Sequence, residues 1–83
     1  MSNVSIRDEY APLFGRETLT LWSGDYASTF EGSAWELPNH DGYMVTLNYS
    51  RGNVRVECPS PRTDESWMAV DGAIRAAVAR VTA

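Results

Sequence analysis

"YMVTLNYSRGNVRVEC", residues 43 to 58, decides the fold. Tyr43, Val45, Leu47 and Tyr49 alternate with Met44, Thr46 and Asn48. A period of two over such a run belongs to a strand with two unlike faces. "SRGN" follows as a tight turn, and then Val54, Val56 and Cys58 alternate with Arg55 and Glu57. Two alternating runs joined by a short glycine-containing turn predict a β-hairpin, with the valines and Cys58 facing in and Arg55 and Glu57 facing out. "PSPR", residues 59 to 62, ends the sheet, because two prolines cannot continue a ladder.

Downstream, Thr63 is a good N-cap, and Asp64 and Glu65 follow where the helix dipole favours acids. Trp67, Val70, Ile74, Ala77, Val78 and Val81 share one helical face. Asp71 and Arg75 form an i,i+4 pair of favourable polarity, and Arg80 suits the last turn. Gly72, mid-helix, is read as a point of close packing against the sheet.

Upstream the signals weaken. Leu19 and Leu21 alternate with Thr18, Thr20 and Trp22, which predicts a strand. "YASTFEGSAWEL", residues 26 to 37, is a poorer strand, and Gly32 is read as a bulge that switches faces between Phe30 and Trp35. "PNHDG", residues 38 to 42, is a turn. Ser5 caps a short N-terminal helix that Pro12 ends near Tyr10, with Leu13 and Phe14 anchoring to the core. The expected architecture is one α+β domain over residues 1–83. It has a three- to four-stranded antiparallel sheet, a C-terminal helix on one face and a short N-terminal helix.

The chain has 83 residues, one cysteine and no lysine. No apolar run approaches the roughly 20 residues of a membrane span, and the N-terminus lacks a charged-then-apolar leader. A lone cysteine agrees with a reducing compartment, so a cytoplasmic protein without membrane or cofactor is expected. The net charge of −4 is unevenly spread. Residues 17 to 50 hold five acids (Glu17, Asp25, Glu31, Glu36 and Asp41) and no arginine, giving −5. The rest has six acids against seven arginines, giving +1. Direct nucleic-acid binding needs a positive surface, which this balance opposes. A cationic protein partner fits it better.

Catalytic signals are sparse. His40-Asp41 is the only histidine–carboxylate neighbour pair, and turn chemistry explains it without catalysis. One histidine with no clustered cysteines is poor for zinc, so no metal is expected. Cys58 shares an apolar strand face and reads as a small buried hydrophobe. The carboxylate pairs Glu31/Glu36 and Asp25/Asp41 would suit acid–base work only in an enclosed cleft, which so small a core does not build. The chain is therefore expected not to be an enzyme, with a small site around His40, Asp41 and Cys58 as a distant alternative.

Aromatics sharpen the binding reading. Three Trp, four Tyr and two Phe exceed what a small two-layer core must bury. Trp67, Tyr43, Tyr49 and one of Trp22 or Trp35 serve packing, and the others are available as interface anchors. The candidate partner-binding set is Asp25, Tyr26, Glu31, Trp35, Glu36 and Asp41. Charged edges also deter aggregation, but mixed signs would do that equally well. A one-signed surface with aromatic anchors suits a basic groove built to hold nucleic acid.

On the charge pattern of "SGDYASTFEGSAWELPNHDG", residues 23 to 42, and on its whole-chain architecture, the protein resembles the small inhibitors encoded by phages and mobile elements, anti-CRISPR proteins among them. The resemblance implies a non-enzymatic inhibitor that docks on the nucleic-acid site of a CRISPR effector or similar complex and blocks DNA binding. It carries no motif, so no residue role transfers. The competing expectation is a structural or assembly module, such as a virion component or a homodimer.

Overall fold

A computed structural model describes residues 6–15, 17–21 and 29–82. The elements run α1 (Ile6–Phe14), β1 (Leu19–Leu21), β2 (Phe30–Glu36), β3 (Tyr43–Tyr49), β4 (Gly52–Cys58) and α2 (Asp64–Thr82). The strands form one four-stranded antiparallel sheet in chain order, β1-β2-β3-β4. This is the expected α+β fold, with a C-terminal helix and a short N-terminal one.

The hairpin lies where its sequence placed it. Tyr49 pairs with Gly52 across a loop of Ser50 and Arg51, and pairing continues unbroken to Tyr43↔Cys58. Gly52 has φ +137°, a region that favours glycine. Val45, Leu47 and Cys58 are buried, and Val54 and Val56 pack against them.

β2 departs from expectation. Its register with β3 runs from Glu31↔Asn48 to Glu36↔Tyr43 without an extra residue, so Gly32 is not a bulge. Phe30 and Trp35 lie on opposite faces by strand parity alone. Gly32 instead allows close approach. A Cβ there would sit 3.3 Å from Leu13 Cδ1 and 3.4 Å from both Leu21 Cδ1 and Leu47 Cδ2. The missing side chain is what lets α1 settle on β2.

Two further expectations are corrected. α1 does not end near Tyr10; it runs to Phe14 with Pro12 inside it. Extending the helix buries Leu13 fully and brings the Phe14 ring to 4.9 Å from Tyr43 and 5.6 Å from Trp67, both edge-on. That tertiary burial outweighs the amide hydrogen bond proline forgoes. Gly72 does not mark close packing, because it is exposed with nothing within 4 Å of a Cβ.

Both helices cover the same sheet face and share one hydrophobic cluster with it. α2 is capped reciprocally. The Ser66 N–H donates to Thr63 Oγ1 at 3.2 Å, and the Thr63 N–H donates to Ser66 Oγ at 2.8 Å. This is a capping box with serine in the third position. The helices are tied by the Tyr10 hydroxyl, which donates to Asp71 Oδ1 at 2.6 Å, while Arg75 Nε donates to the same oxygen at 2.9 Å. No described helix is long and apolar enough to cross a membrane.

Candidate functional site

The face of the sheet away from the helices has no covering element among the described residues. Its side chains follow from parity: Thr20 on β1; Glu31, Ser33 and Trp35 on β2; Met44, Thr46 and Asn48 on β3; Asn53, Arg55 and Glu57 on β4. Cross-strand register orders them in rows. Trp35, Met44 and Glu57 form one row. Ser33, Thr46 and Arg55 form the next, and Thr20, Glu31, Asn48 and Asn53 the third.

Trp35 dominates this surface. It is 64% exposed, although a tryptophan has more apolar area to hide than any other side chain. Met44 is half-buried directly opposite it. The pair makes an aromatic–thioether patch at one end of the face, with hydroxyls and amides filling the rest. β1 pairs with residues 30 to 32 of β2, so among the described residues the half of β2 that carries Trp35 has a strand neighbour on the β3 side alone.

The predicted binding residues do not gather on one surface. Glu31 and Trp35 share the open face. Glu36 has the opposite parity and lies at the sheet end on the helix side, opposite Tyr43. Asp41 sits in the turn after β2, where it accepts from Ser60 Oγ at 2.7 Å and Arg62 Nη2 at 3.0 Å. That pairing, although exposed, already balances its charge locally. Asp25 and Tyr26, and Trp22 with them, lie outside the described residues. The open face itself is mixed, with Glu31 and Glu57 against Arg55.

Sequence reading singled out neither Met44 nor the Trp35–Met44 contact row. Its signal was the register of β2 on β3, hidden because β2 alternates poorly. The Tyr10–Asp71 bond left no local signal, since 61 positions separate the two residues.

The remaining chemistry is quiet. Cys58 is buried, and burial pushes its thiol up from 9.0 to about 11, so the thiol stays protonated at neutral pH. Burial first, then the Asp71 hydrogen bond and charge, drive the Tyr10 phenol far above its usual range. A half-open depression at the sheet end is lined by residues that include Phe14, Thr18, Glu36, His40, Tyr43 and Ser60. Asp41 faces Arg62 and Ser60 there, and His40 takes no part in the Arg62–Asp41 ion pair. Among the described residues no group of three or more His, Cys, Asp or Glu converges as metal ligands do.

The chain matches no protein-family model, no curated protein and no solved structure.

Proposed function

We propose that this chain is a non-enzymatic protein-binding module that docks through the open face of its sheet, with Trp35 as the anchor. One observation carries the reading: a tryptophan 64% exposed beside Met44, on a sheet face that no described element covers. Folding gains nothing from that exposure, whereas an interface gains its characteristic aromatic hot spot. The surrounding Ser33, Thr46, Asn48 and Asn53 make a polar rim of the kind such anchors sit in.

The partner is read from charge. The chain carries −4, and Glu31, Glu57 and nearby Glu36 outweigh Arg55 around the patch. A basic protein surface is therefore the complementary one, and opposite potentials speed its encounter. The sharper form of the proposal makes that surface the nucleic-acid site of a CRISPR-type complex, blocked as the resemblance to small phage-encoded inhibitors implies. The split placement of Glu31, Glu36 and Asp41 assigns affinity to Trp35 and Met44 and leaves steering to the acids.

The test is an affinity capture from a host lysate with the tagged chain, run beside folded Trp35→Ala and Glu31→Arg/Glu36→Arg variants and washed at low and high salt. A stoichiometric nucleic-acid-binding protein, lost with Trp35→Ala and weakened by salt or by the acid reversals, supports the reading. A partner that both variants retain refutes the proposed face.

A further inference from the structure

β4 is an edge strand of unusual regularity. Its seven residues pair with β3 without a bulge, contain no proline, and meet no strand on the other side among the described residues. The two-residue loop makes Tyr49↔Gly52 the closing pair of the hairpin; in such hairpins the closing pair is hydrogen-bonded, and hydrogen-bonded pairs alternate along an antiparallel ladder. Gly52, Val54, Val56 and Cys58 therefore turn their N–H and C=O groups toward β3. Asn53, Arg55 and Glu57 turn theirs outward, to the free edge. The same three residues place their side chains on the open face.

We infer that two copies of this chain pair antiparallel through β4, about a two-fold axis at Val56, to form one continuous sheet of twice the width. Because Asn53, Arg55 and Glu57 present their backbone groups to the edge, a two-fold axis can pass at one of them or at the valine between two of them. Centred on Val54, the pairing sets Asn53 against Arg55 and carries Glu57 past the end of the strand, opposite the Ser50–Arg51 loop. Centred on Arg55, the pairing sets Arg55 against itself. Centred on Glu57, it sets Glu57 against itself. Both are directly opposed like charges, which destabilise a ladder. Centred on Val56, Arg55 of each copy faces Glu57 of the other. Each such pair exchanges both backbone hydrogen bonds and sets opposite charges on the open face. Among the described residues neither Arg55 nor Glu57 makes an ion pair within its own chain.

The helix layer supplies a second, independent fit. α2 packs on β4 and α1, and its Asp71 and Trp67 point to α1 through Tyr10 and Phe14. The opposite flank, on the side of the free edge, carries Ala69, Ala73 and Ala76, with Ser66 at its start and the exposed Arg80 in the last turn. Of the sheet strands α2 contacts only β4, so pairing the two edges brings the α2 helices of the two copies together along this flank, where packing at the short end of the roughly 8–10 Å interaxial range needs small side chains. The alanines permit that approach along the middle of the helix, and Arg80, at its end, is long enough to turn its guanidinium out to solvent. The inference does not rest on the docking reading: Trp35 lies on β2, away from this edge, and the dimer leaves it exposed.

The experiment is sedimentation velocity on the full chain and on Arg55→Glu, Glu57→Arg and the double reversal, from about 1 µM to about 1 mM. Circular dichroism checks the fold of each, and Arg55→Gln or Glu57→Gln replaces a reversal that fails to fold. The expected result is a concentration-dependent dimer for the native chain and for Trp35→Ala. Either single reversal weakens it roughly tenfold, since both ion pairs become like-charge pairs. The double reversal, which recreates them with exchanged signs, restores it. A native chain still monomeric at about 1 mM, single reversals that dimerise like the native chain, or a double reversal that stays weak would each overturn the inference.

Discussion

The helix-covered face of the sheet and its open face are built from alternate residues of the same strands, yet they are chemically unlike. On the covered face Phe30, Val45 and Leu47 are fully buried, and Gly32 is glycine because three leucines converge on it. On the open face Glu31, Ser33, Thr46 and Asn48 interleave with them, and Trp35, its largest apolar side chain, is left mostly in water. Packing therefore constrains one parity and leaves the other to solubility and contact. A residue's number, odd or even, decides which demand it answers.

Substitutions on the two faces should differ in kind. Phe30→Ala removes a fully buried ring that lies 5.1 Å from Tyr49. It should cost about 3–5 kcal/mol in urea unfolding, most of the stability of so small a domain. At the sheet end, Gly42 has φ +149° and a Cβ there would lie 3.0 Å from the Cys58 carbonyl oxygen. Gly42→Ala should cost about 1–3 kcal/mol by the same measurement, through backbone strain rather than lost burial. Equal urea midpoints for Gly42→Ala and the native chain would show that the 38–42 turn relaxes freely.

Tyr10→Phe keeps the ring and deletes the bond to Asp71, for an expected loss of about 1–2 kcal/mol. The same bond sets a pH dependence. The buried phenol resists ionisation, so its folded pKa lies above the unfolded value of roughly 10. The contribution is fully present below that value. As pH rises above it, the unfolded chain sheds the proton while the folded one keeps it, and stability falls by up to about 1.4 kcal/mol per pH unit. Cys58 acts with the same sign between 9.0 and about 11. Alkaline melts of Tyr10→Phe should therefore fall less steeply than those of the native chain.

Within α2 the contrast repeats in miniature. Val70 and Ile74 are fully buried, whereas Gly72 between them faces solvent with room for a Cβ. Gly72→Ala should stabilise the domain by about 1 kcal/mol in thermal or urea melts. The smallest effect on stability belongs to Trp35→Ala, within about 0.5 kcal/mol in the same melts. A large destabilisation by that variant would mean that the open face is structural after all and would remove the basis for docking.

Local patterns carried most of the architecture. The β3–β4 hairpin, the inward valines, the Thr63 cap, the Asp71–Arg75 pair and the apolar stripe of α2 were all legible, because each depends on neighbours within one turn or one pleat. The site was less legible. Trp35 and Glu31 were read as surface residues and share the open face, but Glu36 belongs to the other parity and Asp41 to an ion pair with Arg62. Net charge along the chain is a sum over residues and does not record which face each one takes.

The sequence by itself determined the β3–β4 hairpin, the capped C-terminal helix, the order of the elements and the alternation that gives the sheet two faces, since φ/ψ preference, capping and periodicity act locally. Only the tertiary structure decided that α1 runs through Pro12, that Gly32 is a cradle and not a bulge, that Gly72 is free, and that Tyr10 reaches Asp71. Each of these depends on contact between segments distant in sequence. There the burial of Leu13 and Phe14, or a shared proton between helices, outweighs a local preference worth a kilocalorie or so.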